Sequence, residues 1–169
     1  MKLFWIINLF LFQASWVCAA FFTEYANQIM PLLLIIHFAL SPTRIKDLRL
    51  LMLVPIGLIA DKIQLELGIF NAGDSFFPIW LLLLWVMFII SLNHSLRWLD
   101  NRSVPTLMLV GAIGGTSSYW GGIKAGVLVP LLPTSSVVLS LILVWALLLP
   151  VFVILKRYVN QPAKAHVLR

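Results

Sequence analysis

Long apolar runs separated by short polar segments extend along almost the whole chain. Most runs approach the ~20 residues that a helix needs to cross the hydrocarbon core of a bilayer. The pattern therefore predicts an all-α, polytopic membrane helix bundle with about six transmembrane helices. The predicted spans are 3–21, 23–40, about 50–70, 76–99, 104–120 and 134–158, and the loop before the third span holds Arg44, Lys46 and Arg49. Residues 1–159 would form one domain, followed by a short basic cytoplasmic tail at 160–169.

Residues that cap, bend or break helices set the predicted boundaries. Thr23 and Thr134 are predicted N-caps, and Pro55 predicts a kink in the third span. Asn71 to Ser75 is predicted to form a turn. Gly121-Gly122 is expected to end the fifth span. The segment 123–133 is too short to cross a membrane, so it is interpreted as an interfacial loop, with a re-entrant segment as the alternative.

The first apolar run has two interpretations. It ends in Cys18-Ala19-Ala20, which fits the small-residue cleavage site of a signal peptide. However, it is long for a signal sequence, and it carries Asn8 and Gln13, which suit a helix packed in a bundle. We therefore expect this run to remain attached as the first span.

Composition and charge fit a membrane protein with both termini inside. Hydrophobic residues make up 62% of the 169 residues, charged residues 11%, and the mean hydropathy is +1.02. The net charge of +6 does not indicate a nucleic-acid partner, because the basic residues form no basic face. Ten of the twelve lysines and arginines fall in segments that six spans would place on one side: Lys2, Arg44, Lys46, Arg49, Arg97, Arg102, Lys156, Arg157, Lys164 and Arg169. The positive-inside rule makes that side cytoplasmic.

An ionisable residue deep in an apolar span needs a partner or a function, and Asp61 is such a residue. At ~1.5 Å per residue it lies roughly 17 Å from the inner edge of the core, close to the midplane. The same calculation places Gln13 and Trp85 at this level and His37 about one turn nearer the inside. These four residues form a predicted intramembrane polar layer. Asp61 is either hydrogen-bonding glue between helices or a titratable group lining a cavity.

A second predicted site lies near the inner end of the fourth span. Asn93 and His94 fall close to the inner edge, and His94 and Arg97 are three apart, on one face of a helix. They are interpreted either as an interfacial helix end or as a site that contacts anionic headgroups, with His94 as acid or base. Lys62 and Glu66 are four apart and are expected to pair.

Small residues on the fifth span predict close helix packing. Gly111 and Gly115 form a GxxxG pattern, and Gly114 and Gly122 belong to a second series of small residues at intervals of four. The alternative is a pocket beside Tyr119. The sequence contains no metal-ligand spacing, phosphate loop or nucleophile motif, so it predicts no metal and no cofactor.

The NHSLRWL segment at 93–99 resembles an uncharacterised family of small bacterial inner-membrane proteins, known only as a domain of unknown function. The likeness extends over the whole chain, including Trp5, Asn8, Gln13, the stretch from Gly57 to Asp61, and Gly122. It implies an intact first span, a multi-pass fold and the inner membrane of a Gram-negative bacterium. It also implies gene neighbours in fatty-acid modification. A more distant likeness is to the vitamin-binding components of small transporters.

Three functions remain open at this point. The first is a structural or accessory component of a membrane process, which we expect, without an assigned activity. The second is a membrane subunit or enzyme of lipid or fatty-acid modification, which would use His94 and Arg97. The third is a small-solute or proton-coupled carrier that uses Asp61. The expected partners are the lipid bilayer, anionic lipid headgroups and other membrane proteins, and no nucleic acid.

Overall fold

The computed structural model describes residues 3–73 and 77–161, and these form an all-α bundle of six helical segments. The helices are α1 (Phe4–Phe21), α2 (Thr23–Leu40), α3 (Arg44–Leu50), α4 (Val54–Glu66), α5 (Ile79–Ser91), α6 (Val104–Ala125) and α7 (Thr134–Val159). A 3-10 turn (Leu51–Leu53) joins α3 to α4, so these two form the third segment. A second 3-10 turn (Arg97–Asn101) precedes α6. The predicted tail from 162 onwards and part of the turn at 71–75 lie outside the described residues.

Successive segments run in opposite directions. The end where α1, α3 and α6 begin is called the basic end, because it carries seven described basic residues: Arg44, Lys46, Arg49, Arg97, Arg102, Lys156 and Arg157. At the opposite end, the strands β1 (Phe70–Asn71) and β2 (Val129–Pro130) pair antiparallel, with Phe70 opposite Pro130.

Two helices in the described residues are long and apolar enough to cross a membrane, namely α1 and α7. The other segments are shorter or more polar, so the six-span topology stays a prediction. Many large apolar side chains nevertheless point away from the bundle. Leu32, Ile59, Ile113 and Leu147 are each more than half exposed.

The predicted fourth span is wrong beyond Ser91. The helix α5 ends there, and residues 92–96 form turns before the 3-10 segment. The Ser95 amide donates to Asn8 Oδ1 at 3.1 Å, and the Leu96 amide to the Ser91 carbonyl at 2.9 Å. These bonds replace helical ones. His94 and Arg97 therefore do not share a helical face.

The predicted end of the fifth span is also wrong. The helix α6 continues through Gly121 and Gly122 to Ala125. An interior glycine costs only about 1 kcal/mol, and tertiary contacts offset such a cost. Gly126 ends the helix instead, with a φ of 85° and an amide that donates to the Ile123 carbonyl.

The other predicted boundaries differ by small amounts. The side chain of Thr23 does not cap α2, because its hydroxyl donates backwards to the Ala19 carbonyl at 2.7 Å. Thr134 is the first helical residue of α7, after Pro133 as N-cap. Near Pro55 the helix is broken by the 3-10 turn. Lys62 and Glu66 are paired at 2.6 Å, as their spacing indicated.

Two stacked tryptophans occupy the centre of the bundle. The rings of Trp85 and Trp145 lie 5.4 Å apart and nearly parallel. Glycines make room for both rings: a Cβ at Gly57 would overlap the Trp85 ring, and a Cβ at Gly115 would overlap the Trp145 ring. A Cβ at Gly111 would overlap the backbone carbonyl of Trp145. Gly111 and Gly115 therefore pack as the GxxxG pattern indicated.

The other two glycines of the predicted packing set behave differently. An added Cβ at Gly114 would meet nothing within 4 Å, and one at Gly122 would come no closer than 3.3 Å to Leu128. Gly114 therefore has open space beside it, and only a modest shift would be needed at Gly122.

We expect Gly115→Ala to lower the free energy of unfolding by about 1–3 kcal/mol, because the new methyl group forces Trp145 out of place. Gly114→Ala is the matched control on the same helix, and its methyl group enters open space. Thermal unfolding of both variants in detergent provides the measurement. Equal melting temperatures would contradict the close packing at Gly115.

Candidate functional site

Asp47 is the centre of a buried polar cluster at the basic end of the bundle. Its side chain is fully buried, although it lies on the short helix α3 before the apolar part of the third segment. Five side chains contact its carboxylate through polar atoms: Ser41 at 2.5 Å, Asn93 at 2.8 Å, His94 at 3.0 Å, His37 at 3.3 Å and Thr43 at 3.4 Å. The cluster joins α2, α3 and the turn that follows α5.

The two imidazoles of the Asp47 cluster are held tightly. His37 is fully buried, and the side chain of His94 is 7% exposed. Their ring centroids lie 5.3 Å apart, and the Phe4 ring packs edge-on against His94 at 4.7 Å. The Nε2 atom of His94 lies 3.0 Å from both Asp47 oxygens.

Asn8 of α1 connects this cluster to the turn at 92–96. Its Oδ1 accepts from the Ser95 amide at 3.1 Å and from the Ser95 hydroxyl at 2.6 Å. Its Nδ2 then faces His37 Nδ1 at 3.4 Å. Since Asn8 Oδ1 is committed to Ser95, Nδ1 of His37 is the acceptor and Nε2 carries the hydrogen. Four separate parts of the chain therefore meet in the cluster around Asp47, with α1 joined to it through His37.

The hydrogen bonds decide the charge of Asp47. Burial by itself raises the pKa of a carboxyl group, because it penalises the charged form. The bonds from His37, His94, Ser41 and Asn93 outweigh that effect and hold the pKa of Asp47 well below its usual range. The carboxylate is ionised at neutral pH.

The structure rearranges the two sites expected from the sequence. His37 does not contact Asp61, and instead joins Asn93 and His94 at Asp47. Arg97 is exposed and is not among the side chains that contact Asp47. Gln13 is exposed on α1 and lies beside a groove rather than in a polar layer.

Sequence analysis missed Asp47, although a signal for it was present. Counting back from Asp61 in helical steps of three or four passes Gly57, Val54 and Leu50 and arrives at Asp47. All of these positions are buried on one face of the third segment.

Asp61 forms a separate contact near the middle of the bundle. It is 1% exposed, and both oxygens accept hydrogen bonds: Trp85 Nε1 donates to Oδ2 at 2.6 Å, and the Tyr119 hydroxyl donates to Oδ1 at 2.6 Å. The carboxyl group joins α4 to α5 and α6. Trp85 was expected near Asp61 from its depth, whereas the contact with Tyr119 was not foreseen.

A groove of about 390 Å³ runs along α6 beside α1. Most of its wall is apolar or aromatic. The wall consists of Phe12, Gln13, Trp16, Phe88, Leu96, Trp98, Leu99, Val110, Gly111, Gly114, Gly115, Ser117, Ser118, Trp145 and Leu149. Trp16 Nε1 donates to Ser118 Oγ at 2.9 Å and links α1 to α6 at one end of this wall. Trp98 and Leu99 lie at the other end, towards the basic end of the bundle.

Lys156 fixes the basic end of α7. Its side chain is 5% exposed, and its ammonium group donates to Asp100 Oδ1 at 2.6 Å and to the Leu92 carbonyl at 2.5 Å. The segment between α5 and α6 is thus held by α1 through Asn8 and by α7 through Lys156.

We expect Asp61→Asn to be tolerated, because an amide can accept from Trp85 and donate to the hydroxyl of Tyr119. Asp61→Leu leaves both donors buried without a partner, which costs about 1–3 kcal/mol for each. Thermal unfolding of both variants in detergent tests the difference. If Asp61→Leu were as stable as Asp61→Asn, the carboxyl group would not be holding these helices together.

The fold and its polar cluster define an all-α protein with two helices long and apolar enough to cross a membrane and a buried His–Asp–His group at one end. The model of a family described as "Protein of unknown function (DUF2878)" matches residues 5–151, and the chain belongs to that family. This confirms the resemblance noted at 93–99 to a domain of unknown function. No curated protein and no solved structure matches the chain.

Proposed function

We propose that the chain is a multi-pass protein of the bacterial inner membrane that holds the acyl chain of an anionic lipid in the groove beside α6. Its role would be that of a membrane subunit in lipid or fatty-acid modification. The observation that carries this proposal is the groove itself, which is long, mostly apolar and bordered by aromatic rings.

The dimensions of the groove suit a hydrocarbon chain. Its wall on α6 extends from Val110 to Ser118, eight residues along the helix, which corresponds to ~12 Å. Gly114 supplies no side chain to fill it, whereas Trp145 packs against Gly111 and Gly115. The space beside Gly114 is open, so an acyl chain would lie against the backbone of α6 there.

Charge at the mouth of the groove suits an anionic headgroup. The Trp98 ring is half exposed, and the guanidinium of Arg102 lies over it at 5.6 Å. Arg97 is exposed in the same 3-10 turn. Tryptophan and arginine near a membrane surface favour the headgroup region. A lipid with its chain in the groove would thus place its phosphate near these two arginines.

The surroundings of Asp61 favour a lipid-binding role for this chain over the role of a carrier. A carrier needs Asp61 to face a water-accessible cavity, but this carboxyl group is 1% exposed and bonded through both oxygens. The structural role of Asp61 agrees with the alternative of interhelical glue.

Six spans with both termini in the cytoplasm are part of the proposal. The basic end collects seven described lysines and arginines, which supports its placement on the cytoplasmic side. The exposed apolar side chains on α2, α4, α6 and α7 support contact with lipid around the bundle.

Topology is tested with reporters fused after Arg169. We expect activity from a reporter that works in the cytoplasm and none from one that works only in the periplasm. The reverse result would overturn the six-span arrangement. A second fusion in the loop after Asn71 serves as the control and is expected to show the opposite pattern.

Lipid retention tests the groove. Purified protein is mixed in detergent with phosphatidylglycerol and phosphatidylethanolamine, and the lipid retained by each chain is measured by native mass spectrometry. We expect preferential retention of the anionic lipid. Gly114→Leu should weaken retention by about tenfold, which equals about 1.4 kcal/mol of lost contact, because leucine would project into the groove.

Ile113→Phe is the matched control for lipid retention. Ile113 is the neighbouring residue on α6, is 61% exposed and is not part of the groove wall. Its enlargement should leave retention unchanged. Equal retention by Gly114→Leu and the original chain would contradict the groove as the lipid site.

A further inference from the structure

We propose that His37, Asp47 and His94 form a binding site for a divalent transition metal ion of the Zn²⁺ or Fe²⁺ type. Two imidazoles and one carboxylate make up the ligand set. The site lies at the basic end of the bundle and is argued independently of the lipid groove. No local motif in the sequence indicates it, because the ligands come from α2, α3 and the turn after α5.

The distances between the ligand atoms fit a shared ion. His37 Nε2 lies 3.3 Å and His94 Nε2 lies 3.0 Å from Asp47 Oδ2, and the three ligand atoms all lie within 4.8 Å of one another. Ligands about 2.0–2.2 Å from one zinc ion stand about 3.0–3.5 Å apart in tetrahedral or octahedral geometry. The two separations from Asp47 Oδ2 therefore already match those of ligands on one ion.

The chemistry of the ligands selects the kind of ion. Imidazole suits zinc, iron, copper and nickel, whereas calcium and magnesium prefer oxygen ligands alone. Two histidines with one carboxylate and open positions is a ligand set found with catalytic zinc and with non-haem Fe²⁺. Among the described residues, no lysine or arginine side chain contacts Asp47, so its negative charge is available to a cation.

The Asp47 carboxylate lies close to an open cleft at the basic end of the bundle. Ser41 and Thr43 both contact the Asp47 carboxylate, and both line an open cleft of about 430 Å³ formed by residues 41–46. The hydroxyl groups of these two residues therefore lie between the cleft and the carboxylate.

The hydrogen bond between Asn8 and His37 reports which ring nitrogen of His37 carries the hydrogen. In the metal-free arrangement Asn8 donates to His37 Nδ1, so Nε2 carries a hydrogen that points at Asp47. A metal ion on Nε2 requires that hydrogen to move to Nδ1, and Asn8 must then accept instead of donate. Asn8→Asp supplies one oxygen for Ser95 and a second for Nδ1–H. A carboxylate that accepts a hydrogen bond from the second ring nitrogen of a histidine strengthens metal binding by the first.

The experiment measures binding of Co²⁺ and Zn²⁺ to the full chain in detergent. The protein carries a purification tag without histidine, His166 is replaced by alanine because it is the third histidine of the chain and its imidazole could bind the metal, and bound metal is first removed with a chelator. Co²⁺ absorption reports coordination by nitrogen ligands, and Zn²⁺ competes for the same site. We expect one Co²⁺ per chain and about tenfold tighter binding in Asn8→Asp.

Conservative variants separate ligand loss from unfolding. His37→Gln and His94→Gln keep an N–H donor towards Asp47 but lose the imidazole ligand. Each is expected to remain folded and to weaken Co²⁺ binding at least about a hundredfold. Asp61→Asn alters the other buried carboxyl group and serves as the control, with unchanged binding.

Three results would overturn the metal site. They are the absence of stoichiometric Co²⁺ binding by the original chain, equal binding by a folded His94→Gln variant, and no gain in affinity in a folded Asn8→Asp variant. Any of them would show that the contacts at Asp47 are hydrogen bonds alone.

Discussion

The buried carboxylate of Asp47 constrains the basic end of the bundle. A charge withdrawn from water is costly unless its oxygens are bonded, and removing the partner of a buried charge destabilises a fold by about 3–5 kcal/mol. The partners of Asp47 come from the end of α2, from the loop before α3 and from the turn after α5. These parts of the chain must converge for the charge to be tolerated. The positions of the helix ends follow from that requirement.

This constraint explains which helix boundaries could be predicted. The apolar pattern located α1, α2 and α7, because their limits are set by local composition and by residues such as Pro42 and Pro133. It failed at Ser91, where the chain leaves the helix so that Asn93 and His94 reach Asp47 and Ser95 reaches Asn8. Asn8 is 87 residues from Ser95 in sequence. No local pattern of residues carries that information.

The site itself was partly predictable. The depth of each residue, calculated from its position along its helix, predicted that Trp85 lies at the level of Asp61. This calculation works because a rise of ~1.5 Å per residue is maintained over the length of one span. The same calculation separated the level of Asp61 from that of His94, and the two do lie in different clusters. It also placed His37 about one turn nearer the inside, and the error was to group His37 with Asp61, a carboxylate in an apolar span, when its partner is Asp47. The basic segment around Asp47 had been interpreted only as a topological signal.

The two buried carboxyl groups differ in what surrounds them, and this separates a structural role from a functional one. Asp61 contacts two aromatic donors and lies in the packed centre, where Trp85 stacks on Trp145. Within the described part of the chain, its hydrogen-bond partners are the Trp85 indole and the Tyr119 hydroxyl, and no imidazole bonds to it. Asp47 instead contacts two imidazoles and lies beside an open cleft through Ser41 and Thr43. A fully packed aromatic setting favours stability, whereas a carboxylate in contact with two imidazoles beside an open cleft combines charge with atoms of the kind that bind metal ions. For these reasons the metal site is proposed at Asp47 and not at Asp61.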